Sequence, residues 1–175
     1  MINSYLNYRL FILSVLEGEY IEMKKSFIPE EFIVPIIYKT ENFTIRKLTI
    51  SDLHEDYIAV MDAKDHIHMI YTDEYTNGWP SDTLTLKQNE NDLKRHEKEF
   101  DEREAFAYTV FDSENKNCLG CLYIDSSNDY DAEITMWTKD DVTDMLLYTT
   151  VKNWIEHDWP FKNIDYPILG ELYDK

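Results

Sequence analysis

The chain has 175 residues, 43% of them hydrophobic and 14% aromatic, enough to bury a core without metal or disulfides, so the disordered and the disulfide-stapled classes are excluded. Its net charge is -18, from 35 acids against 17 bases. Such a surface repels nucleic acid, anionic membrane and anionic cofactors at long range and favours a cationic partner, besides keeping the chain in solution.

Residues 5–16 form an apolar run too short to span a bilayer. No basic start or small-residue cleavage site marks a signal peptide, so the chain is expected in the cytoplasm. Glu17-Gly18-Glu19 can be encoded by a purine-rich stretch resembling a bacterial ribosome-binding site shortly before Met23. Translation is accordingly expected to start at Met23, with 1–22 a mis-assigned start. Pro29 and Pro35 stand among apolar residues and discourage a regular helix, which suggests an extended arm or an edge strand over 26–42. The expected division is an N-terminal extension over 1–42 and a domain over 43–175.

Residues 43–48 alternate as a strand. Ser51 is a plausible N-cap for a helix whose stripe is Leu53, Tyr57, Val60 and Met61. Residues 66–71 suggest a further helical turn, 77–81 a turn, and 83–102 a long polar helix with its acids and bases interleaved. Residues 106–111 and 118–124 read as two strands joined by a hairpin loop over 112–117. Cys118 and Cys121 have the C-x-x-C spacing, but positions three apart on a strand point to opposite faces. They are read as reduced, buried thiols.

Residues 131–137 alternate again, with Ala132, Ile134 and Met136 on one face and Glu133, Thr135 and Trp137 on the other. The period then changes, and Leu147, Tyr148, Val151, Trp154 and Ile155 fall at helical spacing. A strand therefore runs into a helix that begins at an Asp-rich turn, where free backbone N–H groups face whatever lies above the strand end. Trp159-Pro160 closes the helix, a short strand covers 163–166, and a short tail follows. A meander followed by a β-α-β crossover implies an α/β domain of α+β layered type, with a mixed, mostly antiparallel central sheet flanked by helices.

The aspartates Asp125, Asp129 and Asp131 lack the glycine and terminal glutamate of a calcium loop and read as a polar turn. His54, His66, His68, His96 and His157 show no metal-binding spacing. They are taken as structural or surface residues, and no metal site is expected.

In this order the residues resemble the GNAT superfamily of acetyl-CoA-dependent N-acetyltransferases. Phe43-Thr-Ile-Arg-Lys-Leu-Thr-Ile-Ser-Asp-Leu is similar to its first strand and helix. Residues 108–112 and 119–124, with Gly120 at the usual small position, are similar to its second and third strands. Residues 131–137 are similar to its fourth. The likeness spans about residues 43–167, and the runs 79–82, 91–96 and 159–165 resemble a divergent bacterial branch. The resemblance implies acetyl transfer from acetyl-CoA to an amine on a small molecule or peptide. It implies Glu133 as the base, although an ordinary strand glutamate in a salt bridge fits that position as well. It also implies cofactor contacts from Met136, Trp137 and Thr138, through the backbone, and from Lys139, Val142 and Thr143.

Two departures from the family pattern stand out. The family's Gln/Arg-x-x-Gly-x-Gly/Ala signature lets backbone N–H groups close on a pyrophosphate. The aligned run Lys139-Asp140-Asp141-Val142-Thr143-Asp144 has no glycine and three aspartates. In the family a helix, two strands and a proton-donating Tyr follow the fifth strand, whereas nine residues follow Tyr166 here. Tyr173 and the N-terminal arm are the candidate replacements. The chain thus reads as an amine N-acetyltransferase or, as the alternative, as a GNAT-derived binding or structural module that no longer binds coenzyme A. An uncovered sheet edge near the C-terminus would invite a homodimer.

Overall fold

The computed structural model describes residues 26–174. The expected start at Met23 lies outside the described residues. Alternating apolar residues build a sheet of six strands in sequential order: β1 (Ile37–Lys39), β2 (Phe43–Lys47), β3 (Phe106–Asp112), β4 (Cys118–Asp125), β5 (Ala132–Trp137) and β6 (Ile164–Asp165). All neighbours are antiparallel except β5 and β6. That parallel pair needs a crossover, and the helix α4 (Asp141–Asp158) supplies it. The mixed, mostly antiparallel sheet expected from the sequence is therefore present.

The other helices are α1 (Leu53–Ile70), α2 (Asp73–Thr76), α3 (Leu86–Asp101) and α5 (Leu169–Tyr173). Among the described residues, no helix is long and apolar enough to cross a membrane.

Register assigns the two faces of the sheet. Tyr108, Leu122 and Met136 line up across β3, β4 and β5 and lie under α4, whose Trp154 stacks on Tyr38 at 4.5 Å and meets Tyr108 edge-on. Burying aromatics of this size contributes roughly 2–3 kcal/mol each. The opposite face carries Thr109, Cys121 and Trp137 in one row and Ala107, Tyr123 and Thr135 in the next, beneath α1 and α3. There the buried Asp56 of α1 accepts from Asn89 Nδ2 at 2.7 Å and from Cys121 Sγ at 3.2 Å. Its burial raises the carboxyl above its ordinary value.

The segment before β2 is extended and ends in the edge strand β1. Ile28 is buried in the common core, Phe27 stacks on Phe106 and Phe161, and Tyr108 Oη donates to the Pro35 carbonyl.

Five local expectations change. The N-cap at the β2–α1 junction is Thr49, not Ser51. Thr49 forms a capping box with Asp52 around a 3-10 turn, Ile50–Asp52. Asp52 also takes both terminal nitrogens of Arg46, at 2.6 and 3.0 Å, which ties the strand to the helix that follows it. The helix does not stop near Met61. Ala63 and Ile67 carry the buried stripe on, so 66–71 is its last turn and not a separate one. The polar helix starts at Leu86, after the capping box of Thr85 and Gln88. The tail is not featureless but forms α5. Cys121 is buried as expected, whereas Cys118 is only half-buried, and both thiols are free.

Candidate functional site

The strand β5 carries candidate chemistry at both ends. At its start, Glu133 pairs in register with Asp125 of β4 on one side and Asp165 of β6 on the other. Direct cross-strand neighbours share a face, so three carboxylates form one row on the α1–α3 side. Tyr75 Oη donates to Glu133 Oε1 at 2.8 Å. Burial and the Glu133 hydrogen bond raise the Tyr75 phenol well above its ordinary value, so it remains a donor at any physiological pH.

Beside this row lies a cleft of about 450 Å³ whose walls include Tyr75, Trp79, His96, Tyr123 and Asp125. Asp125 is exposed as a residue. Protein crowded around its carboxyl, with Glu99 and Glu133 nearby, nonetheless pushes it up to about 6. His96 packs on Tyr123 at 5.2 Å. Burial, helped by Arg95, pushes the imidazole down to about 4, so it is neutral near pH 7.

At the far end of β5 the chain enters α4 after three residues. Asp140 is the N-cap: its Oδ1 accepts from the Thr143 N–H at 2.9 Å. That bond is the first reason its carboxyl lies below its ordinary value, and the Val142 N–H adds to the effect. Asp144, one turn on, is fully buried. Its Oδ1 accepts from both the Thr138 N–H and the Thr138 hydroxyl, each at 2.7 Å, and its Oδ2 lies 2.7 Å from His66 Nε2. Tyr71 Oη donates to the Met136 carbonyl at 2.7 Å. Tyr173 of α5 reaches the Asp141 carbonyl at 3.5 Å. Lys152 and Asp174 pair at 2.7 Å and help hold α5 on α4.

The candidate residues thus fall at two places. Met136, Trp137 and Thr138 are buried, Lys139 and Val142 are exposed, and Thr143 is half-buried under Asp140. Glu133 lies at the other end of β5, roughly 16 Å from Thr138 at the rise of a strand. A ligand touching both would have to run along the strand.

Sequence reasoning passed over several members of these groups. Asp165 and Asp125 join Glu133 only through strand register. His66 is not merely a surface histidine: ligand atoms of His66, Asp141 and Asp144 lie within 4.8 Å of one another. The signal was invisible in the sequence because the His66 partner is 78 positions away.

The cofactor that the resemblance implies carries a pyrophosphate, and the residues at the α4 N-terminus do not fit one. The Thr143 and Val142 N–H groups serve Asp140, the Thr138 donors serve Asp144, and Asp141 adds a third negative charge.

No family model and no curated protein matches the chain. Solved structures do match in fold. The ribosomal-protein-S5-alanine acetyltransferase of Vibrio fischeri aligns with a TM-score of 0.57 at 11% identity, over 74% of this chain and 72% of that one. The ribosomal L7/L12 α-N-protein acetyltransferase RimL in complex with coenzyme A gives 0.53 at 14% identity, over 70% and 68%. A GNAT-family acetyltransferase from Bacillus anthracis gives 0.53 at 11%, over 73% and 70%. At these identities the likeness carries the fold and nothing finer.

Proposed function

We propose that this chain, on its GNAT acetyltransferase fold, recognises an amine, with Glu133 as the group that receives it. The observation that supports this reading is the row Asp125, Glu133 and Asp165 beside a cleft walled by Trp79 and Tyr123. A protonated amine gains from carboxylates and aromatic faces together, and a net charge of -18 draws it in. The Tyr75 hydroxyl occupies one oxygen of Glu133 and leaves the other to accept from the ammonium.

Two functions share this amine half. One is N-acetylation of a small-molecule or peptide amine, in which Glu133 takes the ammonium proton so that the neutral amine can attack the carbonyl of a thioester, whose C–S bond breaks as the thiolate leaves and takes up the remaining amine proton. It is favoured by the fold shared with acetyltransferases, among them one in complex with coenzyme A. The other is an amine-binding module that does not use coenzyme A. The carboxylates filling the first turn of α4 favour it, and it is the reading we adopt.

Calorimetry with spermidine at low salt tests the amine half. Saturable binding that weakens about tenfold in Glu133→Gln, a loss of about 1.4 kcal/mol, is the expected result. Absence of binding by the wild type, or equal affinity in both proteins, would overturn it. Acetylated spermidine formed on adding acetyl-CoA would select the enzyme over the module.

A further inference from the structure

We infer that Asp144 and Asp140 are the built-in occupants of the anion site at the start of α4, so that coenzyme A and its acetyl ester are excluded by the chain's own carboxylates. The inference stands on the α4 geometry and not on the amine reading.

A helix N-terminus that follows a strand presents unpaired N–H groups and the positive end of the dipole, and so attracts an anion. Here the anion is part of the chain. Asp140 takes the Thr143 N–H, and the Asp144 N–H is already in the helical ladder, bonded to the Asp140 carbonyl. The strand-end donor, the Thr138 N–H, points at Asp144 Oδ1. Two basic side chains stand near: the exposed Lys139, whose charge acts on Asp140, and His66, which is 10% exposed at its side chain and lies against Asp144 Oδ2.

Charge-assisted bonds to a buried carboxylate are about twice as strong as neutral ones. An incoming pyrophosphate would have to displace them and then sit beside the released aspartates. Asp141, 71% exposed at its side chain, would repel it even if Asp144 stayed in place. Along the strand, the Met136 carbonyl is already taken by the Tyr71 hydroxyl, and the Tyr173 hydroxyl reaches the Asp141 carbonyl.

Two-dimensional amide NMR of the full chain, titrated separately with coenzyme A and with inorganic pyrophosphate, tests this. The expected result is no saturable shift at the Thr138, Val142 and Thr143 amides up to about 1 mM ligand, where binding would be worth only about 4 kcal/mol. Saturable shifts at those amides in the micromolar range would overturn the inference.

A second arm uses Asp140→Ser, which keeps a capping oxygen and removes one charge, alone and combined with Asp144→Asn. Pyrophosphate affinity should rise at least tenfold in the combined variant and by a smaller step in Asp140→Ser. Unchanged affinity in folded Asp140→Ser would contradict the carboxylates as occupants. Because spermidine is not used in this titration, failure of the amine reading leaves its outcome untouched.

Discussion

The two ends of β5 carry the same functional group in opposite circumstances. At the start of the strand, Glu133 stands between two further carboxylates, and among the described residues its carboxylate accepts from Tyr75. At its end, Asp144 is engaged by three groups of its own chain: the Thr138 N–H, the Thr138 hydroxyl and His66. The first arrangement sets a row of carboxylates next to an aromatic cleft that Arg95 also lines. The second spends its charge internally. A carboxylate short of donors is available to a ligand, while one saturated by its own chain is a structural element, even where the fold elsewhere supports a cofactor.

Replacing each saturating group measures how firmly the far end is closed. Asp144→Ala would strand the Thr138 donors and His66 in a buried site. Removing one member of such a buried, charged network costs about 3 kcal/mol, read as a fall in the urea midpoint at unchanged slope. A loss below about 1 kcal/mol would make Asp144 an unimportant neighbour of Thr138. Asp140→Ala removes only a cap and should cost about 1 kcal/mol, by the same assay. Asp125, at the other end, gives the smallest effect. Its folded-state value near 6 lies above the ordinary 3.8, so below about pH 6 it binds a proton and loses its charge. Spermidine affinity should therefore weaken two- to fivefold between pH 7 and pH 5, the worth of one partly screened charge. The same shift contributes folding stability that is fully present below the ordinary value and lost as pH rises through 6. Affinity that is flat over this range would remove Asp125 from the cleft's electrostatics.

Much of the fold was legible because it rests on local patterns. The alternation of Ala132, Ile134 and Met136 against Glu133, Thr135 and Trp137 sets which side of β5 faces α4, and the buried Leu147, Tyr148, Val151, Trp154 and Ile155 match the helical spacing. Gly120 has a local reason too, since a Cβ there would overlap the Trp137 carbonyl oxygen. The continuation of α1 past Met61 was hidden because Ala63 is too small to register as a core position and Asp62, Lys64 and Asp65 look like a loop while covering the solvent face. The helix α5 was hidden because it has no side-chain cap and is held by Tyr148 and Lys152 of α4.

For the site, the aspartate-rich start of α4 could be read directly, including its conflict with a pyrophosphate. Its other partners could not, because His66 comes from α1, Tyr71 from just after it and Tyr173 from α5. The acidic row was equally out of reach, since Asp125, Glu133 and Asp165 become neighbours only when three strands take their register.

On the proposed reading, one strand, β5, has an open amine end and a closed anion end. The most direct measurement is calorimetry of the wild-type protein at low salt, with spermidine and acetyl-CoA injected in separate runs. The expected result is saturable heat from spermidine and none from acetyl-CoA up to about 1 mM, the limit at which binding is worth about 4 kcal/mol. Micromolar acetyl-CoA binding, with or without spermidine, would contradict it.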